Sequence, residues 1–213
     1  MQNIQVKNGS YFTRNLVPGQ QVYDEDLISV DGKEYRSWNP FKSKLLAAIK
    51  KGMKVDFHPT SLLYLGASTG TTVSHVSDMF PESFIFAVEF APRVCRDLIM
   101  MAEKRNNISV ILADASDPDS YRWRILQPDF LYQDVAQRHQ VTIFLKNAAL
   151  LKKGSLGMLM VKARSIDVSK QPKKVFDQVE RELKPHVEIL DKVTLEPFQH
   201  DHCCFLVKKV MLQ

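Results

Sequence analysis

Two hydrophobic patterns divide the chain. Over the first forty residues apolar and polar side chains alternate, in NIQVKNGSYFTRN around Asn8-Gly9 and in LISVDGKEYRSW around Asp31-Gly32. Alternation marks strands with one buried face, and Asn-Gly or Asp-Gly between two such runs predicts a type I′ hairpin. A small β subdomain is therefore expected over residues 1–38, with a larger domain over 39–213. In NPFKSKLLAAIKKGM, residues Phe41, Leu45, Ala48, Ile49 and Met53 are spaced to share one face of a helix. From residue 61 the runs SLLYLG, SFIFAVEF, ISVILADA, DFLYQDVA and LGMLMVKA are continuously apolar and separated by helical stretches, the clearest being PRVCRDLIMMAEKR and HQVTIFLKNAALLKKG. Strands apolar on both faces predict a mostly parallel sheet covered by helices on each side, an α/β, Rossmann-like architecture. A helix opening on Pro172 leads to VEILDKVTLEP and CCFLVKKVM, whose short connection PFQHDH predicts an antiparallel pair ending the sheet.

Composition adds less. The 213 residues are 45% hydrophobic and 25% charged, ordinary for a globular chain with one sizeable core. No apolar run approaches the roughly 20 residues of a membrane span, and MQNIQVKNGSYF lacks the layout of a signal peptide. An intracellular, cytoplasmic protein with reduced thiols at Cys95, Cys203 and Cys204 is expected, the last two on opposite strand faces. Lys and Arg number 29 against 24 Asp and Glu, a net +5 that favours a polyanionic partner without identifying one.

The chemistry concentrates where the apolar strands end. In doubly wound sheets ligands bind beyond the carboxyl ends of the strands, where glycines let the backbone approach and a helix N-terminus faces the ligand. Gly66 and Gly70 in YLGASTGTTVSHV supply such a turn. Ser68 breaks the dinucleotide pattern G-x-G-x-x-G, and no Gly-Lys-Ser/Thr follows to make a P-loop. The second strand ends at Glu89, placed to accept both hydroxyls of an adenosine ribose, which fits NAD and S-adenosylmethionine alike. The third ends at Asp114, placed to accept an adenine amino group. The ordered set of glycine turn, Glu and Asp together looks like an S-adenosylmethionine methyltransferase. The fourth and fifth strands deliver Asp134 and Lys162 to the same rim. A lysine closing an apolar strand needs an acidic neighbour, and Asp134 is expected to be its partner. Lys162 then serves an alcohol nucleophile as a cation on the oxygen or as a base, with Lys44 as a second cation.

The segments WNPFKSKLLAAI, YLGASTGTTVSHVSD, FAVEFAPRVCRDL, DVAQ, VKARSIDV and TLEPFQHDH together closely resemble the fibrillarin family of RNA-guided ribose 2′-O-methyltransferases, over nearly the whole chain. The missing glycine–arginine-rich tail makes the archaeal form the better match. The resemblance implies S-adenosylmethionine as methyl donor, rRNA and also tRNA as substrates, and a box C/D guide-RNA particle with a Nop-domain scaffold protein and a kink-turn-binding protein. The family's lysine–aspartate–lysine arrangement falls on Lys44, Asp134 and Lys162. Its cofactor positions fall on Gly66, Thr71, Thr72, Glu89, Phe90, Asp114, Ala115, Asp134 and Gln137. Two departures stand out: the last loop has Gln199-His200-Asp201-His202 where the family usually shows Glu-Lys/Arg-Asp-His, and Gln133 precedes Asp134.

For RNA contact, Arg164 is the first candidate, two residues past Lys162, with Lys42 and Lys170 next. Of Tyr121 and Trp123, which could stack on bases, Trp123 is expected to be packed instead. The His200, His202, Cys203, Cys204 cluster fits no common zinc spacing, so no metal is expected. Two other readings stay open on sequence: a methyltransferase acting on a non-RNA substrate, and a noncatalytic RNA-binding scaffold that has kept the fold.

Overall fold

The computed structural model describes residues 3–210. The N-terminal strands β1 (Ile4–Lys7), β2 (Ser10–Arg14), β3 (Leu27–Val30) and β4 (Lys33–Trp38) form an antiparallel sheet in the order β1-β2-β4-β3. Both predicted hairpins are present: Asn8 and Gly9 have φ of 51° and 75°, Asp31 and Gly32 of 50° and 72°, the double positive φ of a type I′ turn. After α1 (Lys44–Lys50) comes the main sheet: β5 (Ser61–Leu65), β6 (Phe84–Glu89), β7 (Ile108–Leu112), β8 (Phe130–Gln133), β9 (Leu156–Lys162), β10 (Val187–Thr194) and β11 (His202–Lys209). Its order is β10-β11-β9-β8-β5-β6-β7, parallel from β9 to β7 and antiparallel around β11. The chain leaves β5 toward β6 and β7, then returns to its other side at β8, so the turn after β5 lies at the topological switch point where α/β sheets bind ligands.

Helices cover both faces. On one, α2 (Thr71–Met79) and α3 (Pro92–Ala102) join α1 in a core with Tyr64, Ile85 and Cys204; on the other, α4 (Gln140–Ala148) and α6 (Pro172–Leu183) pack over Leu63, Val88 and Cys203. Cys203 and Cys204 thus lie on opposite faces as expected, and all three cysteines are free and buried. A short helix α5 (Ala163–Ile166) follows β9.

The first helix differs from its prediction. It opens at Lys44 on an N-cap at Ser43, so Phe41 lies before it and is 63% exposed, while Met53 is buried beyond its end. Leu45 through Ile49 are all buried, so α1 has no solvated long face.

A buried ionic cluster fastens the N-terminal sheet to α2. Arg36, fully inaccessible, donates to Glu25 at 2.7 Å, to Asp78 at 2.8 Å and to Ser74 at 3.0 Å, and Arg105 reaches the other Asp78 oxygen at 2.7 Å. His75 stacks on Trp38 with ring centroids 5.0 Å apart and shares a 2.7 Å hydrogen bond with Thr13. Burial, with the two arginine charges, holds the His75 ring neutral by lowering its pKa well below the usual histidine range.

Candidate active site

Beyond the carboxyl ends of β5, β6, β8 and β9 lies a cavity of about 420 Å³, within the range of small-molecule sites. Eight sequence-predicted residues line it: Lys44, Gly66, Glu89, Phe90, Ala115, Asp134, Gln137 and Lys162. Gly66 is required by close approach. At its φ of +79° a Cβ would press into the Asp134 backbone, 2.9 Å from the carbonyl carbon, and 3.2 Å from Val135 Cγ1. Ser68 adopts the left-handed conformation, φ 51°, and so aims its N–H at Glu89 Oε2, 2.9 Å away; Ala91 N–H donates to Oε1 at 2.9 Å. These amides fix the carboxylate at the cavity wall and leave a lone pair on each oxygen for a ligand.

Thr71, Thr72 and Asp114 are not among the lining residues. Asp114 is exposed at the rim; the Ser116 amide, 2.8 Å from Oδ1, holds its carboxyl below the ordinary range, with Gln137 assisting. Thr72 Oγ1 donates to Ser43 Oγ at 3.2 Å, and the same Ser43 oxygen caps α1 by accepting from Leu46 N–H at 3.4 Å. The turn that opens α2 is thereby tied to the helix that carries Lys44.

The charged side of the cavity departs from expectation in its pairing. Asp134 Oδ2 accepts from Lys44 Nζ at 2.8 Å, both side chains 22% exposed, and makes no ion pair with Lys162. Lys44 opens α1 and pairs with Asp134, the residue that follows β8, whereas Lys162 Nζ is left without a protein hydrogen bond among the described residues. Asp134 Oδ1 likewise carries none among the described residues. The β9–β11 register sets His202 opposite Lys162. His202 Nδ1 lies 2.6 Å from the His200 carbonyl, which makes Nδ1 the protonated nitrogen and leaves Nε2 as a buried acceptor with no partner. Burial lowers the ring's pKa, and the Lys44 and Lys162 charges act in the same direction. The sequence placed His202 only in a terminal loop. The overlooked signal was the short return from β10, which aligns the start of the last strand with the end of β9. Beneath the pair, Tyr64 and Tyr132 stack with centroids 4.5 Å apart, and burial pushes both phenols well above their usual pKa.

Gln133 supports Lys162 indirectly. It is fully buried and donates to the Gln140 carbonyl at 2.8 Å, while the Gln140 amide accepts from Lys162 N–H at 3.0 Å and donates to its carbonyl at 3.2 Å.

Among the RNA candidates, Arg164 is engaged by Asp201 at 2.8 Å and by the Val168 carbonyl at 3.0 Å, while its side chain stays 46% exposed. Lys42 is exposed, 5.1 Å over the Tyr23 ring, and Lys170 pairs with Asp167 at 3.2 Å. The expectation for Trp123 is reversed. Tyr121 is the packed ring, held by Asn147, and Trp123 is 77% exposed, because the short 3-10 turn turns Tyr121 inward and its second neighbour outward. Among the described residues no group of three or more His, Cys, Asp and Glu side chains is arranged to hold a metal ion, and no helix is long and apolar enough to cross a membrane.

Comparison with known proteins agrees with this geometry. The family model described as Fibrillarin matches residues 2–211. The chain is 50% identical over 201 residues to the fibrillarin-like rRNA/tRNA 2′-O-methyltransferase of Pyrococcus furiosus, covering 92% of this chain and 88% of that one. Aeropyrum pernix fibrillarin, solved with natively bound S-adenosyl-L-methionine, superposes with a TM-score of 0.85 at 42% identity over 96% of this chain and 92% of its own. A fibrillarin/Nop5p complex gives a TM-score of 0.91 at 36% identity, with 98% of each chain covered. Sequence, fold and cavity together place the chain in the fibrillarin family.

Proposed function

We infer that the protein is an S-adenosylmethionine-dependent RNA ribose 2′-O-methyltransferase, the catalytic subunit of a guide ribonucleoprotein acting on rRNA and tRNA. One observation carries this reading. A cavity with an amide-anchored carboxylate on one side opens on the other onto Lys44, Asp134, Lys162 and His202, a polar set suited to an alcohol nucleophile.

The donor set fits the cofactor. The anchored Glu89 carboxylate is assigned to its ribose hydroxyls, the Asp114 edge with Ala115 and Gln137 to its adenine, and the Gly66 backbone to close passage of the ligand. Phe90 lines the site, Thr71 opens the helix after the glycine turn, and Thr72 braces that turn through Ser43. When bound, S-adenosylmethionine supplies an electrophilic methyl group, so this chain's own task is chiefly to position the acceptor. A 2′-hydroxyl entering between Asp134 and Lys162 finds the free Oδ1 to accept its hydrogen bond. Lys44 fixes that carboxylate, and the Lys162 ammonium offsets negative charge growing on the oxygen. His202 Nε2 adds a neutral acceptor within the same cluster. Guide base pairing selects the nucleotide, so the surface needs only phosphate and shape contacts, assigned to Lys42, Arg164 and Lys170. The partners are a box C/D guide RNA with its target, a Nop-domain scaffold protein and a kink-turn-binding protein.

The test is radiolabelled methyl transfer in a particle reconstituted with guide RNA and both proteins, followed by alkaline digestion. Label in alkali-resistant dinucleotides at the guided position supports the reading. Label in ordinary mononucleotides means base methylation, and absence of label despite cofactor binding and assembly moves the noncatalytic scaffold reading to the front.

A further inference from the structure

Phe41 is the exposed aromatic nearest in sequence to the reacting groups, three residues before Lys44, and it is held in place at the cost of leaving its ring in water. Its N–H donates to Asn39 Oδ1 at 2.8 Å, and the Gln199 amide donates to the carbonyls of Pro40 at 3.0 Å and Phe41 at 2.7 Å. Gln199 is one of the residues at which the sequence departs from the family pattern. The Phe198 ring meets Phe41 at 5.5 Å and 73°, an edge-on contact that leaves Phe41 63% exposed. The exposed part of the ring adds little to folding, but a backbone tied by three hydrogen bonds lowers the ordering cost of a contact with a ligand.

The chemistry of the substrate says what that ligand is. In A-form duplexes the 2′-hydroxyls are displayed in the wide, shallow minor groove. A site that reaches a 2′-hydroxyl held in a guide–target duplex therefore faces that groove, and Phe41 is tied both to the segment that opens on Lys44 and to the loop that leads to His202. We propose that Phe41 is a minor-groove positioning residue, packing on the sugar and base edge next to the methylated nucleotide while Lys42 and Lys51 meet the flanking phosphates. Lys42 and Lys51 are exposed on the same segment, and Lys50, over the Tyr11 and Phe198 rings at 5.1 and 5.7 Å, keeps this corner cationic. A cationic rim around an exposed ring suits a polyanion, the ammonium groups meeting phosphates while the ring packs on sugar and base-edge atoms of the groove. This inference rests on the guided ribose-methyltransferase reading.

The experiment uses the reconstituted particle. Phe41→Ala is expected to raise KM for the target RNA about ten-fold, ~1.4 kcal/mol, with cofactor affinity and particle assembly unchanged, and Phe41→Trp is expected to recover most of the loss. A target carrying N2-ethylguanine beside the guided nucleotide, which fills the minor groove, is expected to slow the wild type more than Phe41→Ala. With p-benzoylphenylalanine at position 41, light is expected to crosslink the target strand beside the guided nucleotide, a readout independent of turnover. An unchanged KM, equal sensitivity of both proteins to the ethyl group, or crosslinks confined to the scaffold protein each overturn the proposal. Crosslinks at the expected nucleotides without any ribose methylation would uphold the contact while sinking the catalytic reading.

Discussion

Replacing Asp134 by Asn keeps the size of the side chain and one acceptor oxygen, removes its charge and turns the other oxygen into an NH2 donor. In the native site Oδ2 accepts from Lys44 Nζ at 2.8 Å, with both groups mostly shielded from solvent. The asparagine oxygen keeps a hydrogen bond to the still-charged Lys44 and loses the ion-pair attraction, about 4 kcal/mol at about 4 Å and an effective dielectric of about 20, and less where water screens the pair. The substitution therefore costs roughly 1–2 kcal/mol in the hold on Lys44, ~5–30-fold in rate if orientation is all that Asp134 provides. If Oδ1 also receives the hydroxyl proton's hydrogen bond as charge develops, loss of acid–base assistance adds about 10²–10⁴-fold. The expected outcome is a single-turnover rate down by at least ~10², with cofactor affinity by calorimetry within a few-fold of wild type and assembly intact. A loss of only 5–30-fold would confine Asp134 to orienting Lys44. A rate within five-fold of wild type, or a deficit wholly explained by cofactor affinity, would refute the assigned role.

Three further outcomes are expected. Glu89→Ala removes the anchored carboxylate and weakens S-adenosylmethionine binding at least ten-fold, about 1.4 kcal/mol; unchanged calorimetric affinity would move the ribose contact elsewhere. Arg36→Met leaves buried Glu25 without its cation and Asp78 with only Arg105, a loss of about 3–5 kcal/mol and, at about 2–4 °C per kcal/mol, a fall in Tm of roughly 6–20 °C; a scan displaced by less than about 2 °C would show the cluster to be dispensable. The lowered pKa of His75 means that below its unfolded value of about 6.5 the unfolded chain takes up a proton that the native state refuses. Native stability is thus full above that pH and falls as pH drops, by up to ~1.4 kcal/mol per unit, with His202 adding in the same sense; urea midpoints that stay level from pH 7.5 to 5.5 would contradict this.

The parallel strands were legible because burial on both faces leaves unbroken apolar runs such as SLLYL and FIFAVE, and the hairpins because Asn8-Gly9 and Asp31-Gly32 admit the positive φ their turns need. Glu89, Asp134 and Lys162 were legible for a related reason: each is the polar residue that ends, or directly follows, such a run. What the sequence hid was set by contacts between distant segments. The partner of Asp134 comes from ninety residues earlier in the chain, and no local pattern distinguishes Lys44 from Lys162 as the closer cation. Thr72 bonding Ser43, and Trp123 rather than Tyr121 facing water, depend likewise on how a turn seats against a neighbouring helix.

The last strand of the sheet in sequence is not its last in space. Residues 202–209 are inserted between β9 and β10, so β10, although made earlier, has no sheet neighbour until β11 arrives. During synthesis the chain therefore carries Lys44, Glu89, Asp134 and Lys162 out of the ribosome long before the segment that flanks Lys162 with His202 emerges. The part of the cavity built by β5, β6 and β8 can be complete in sequence while the strand that sets His202 opposite Lys162 is still to come.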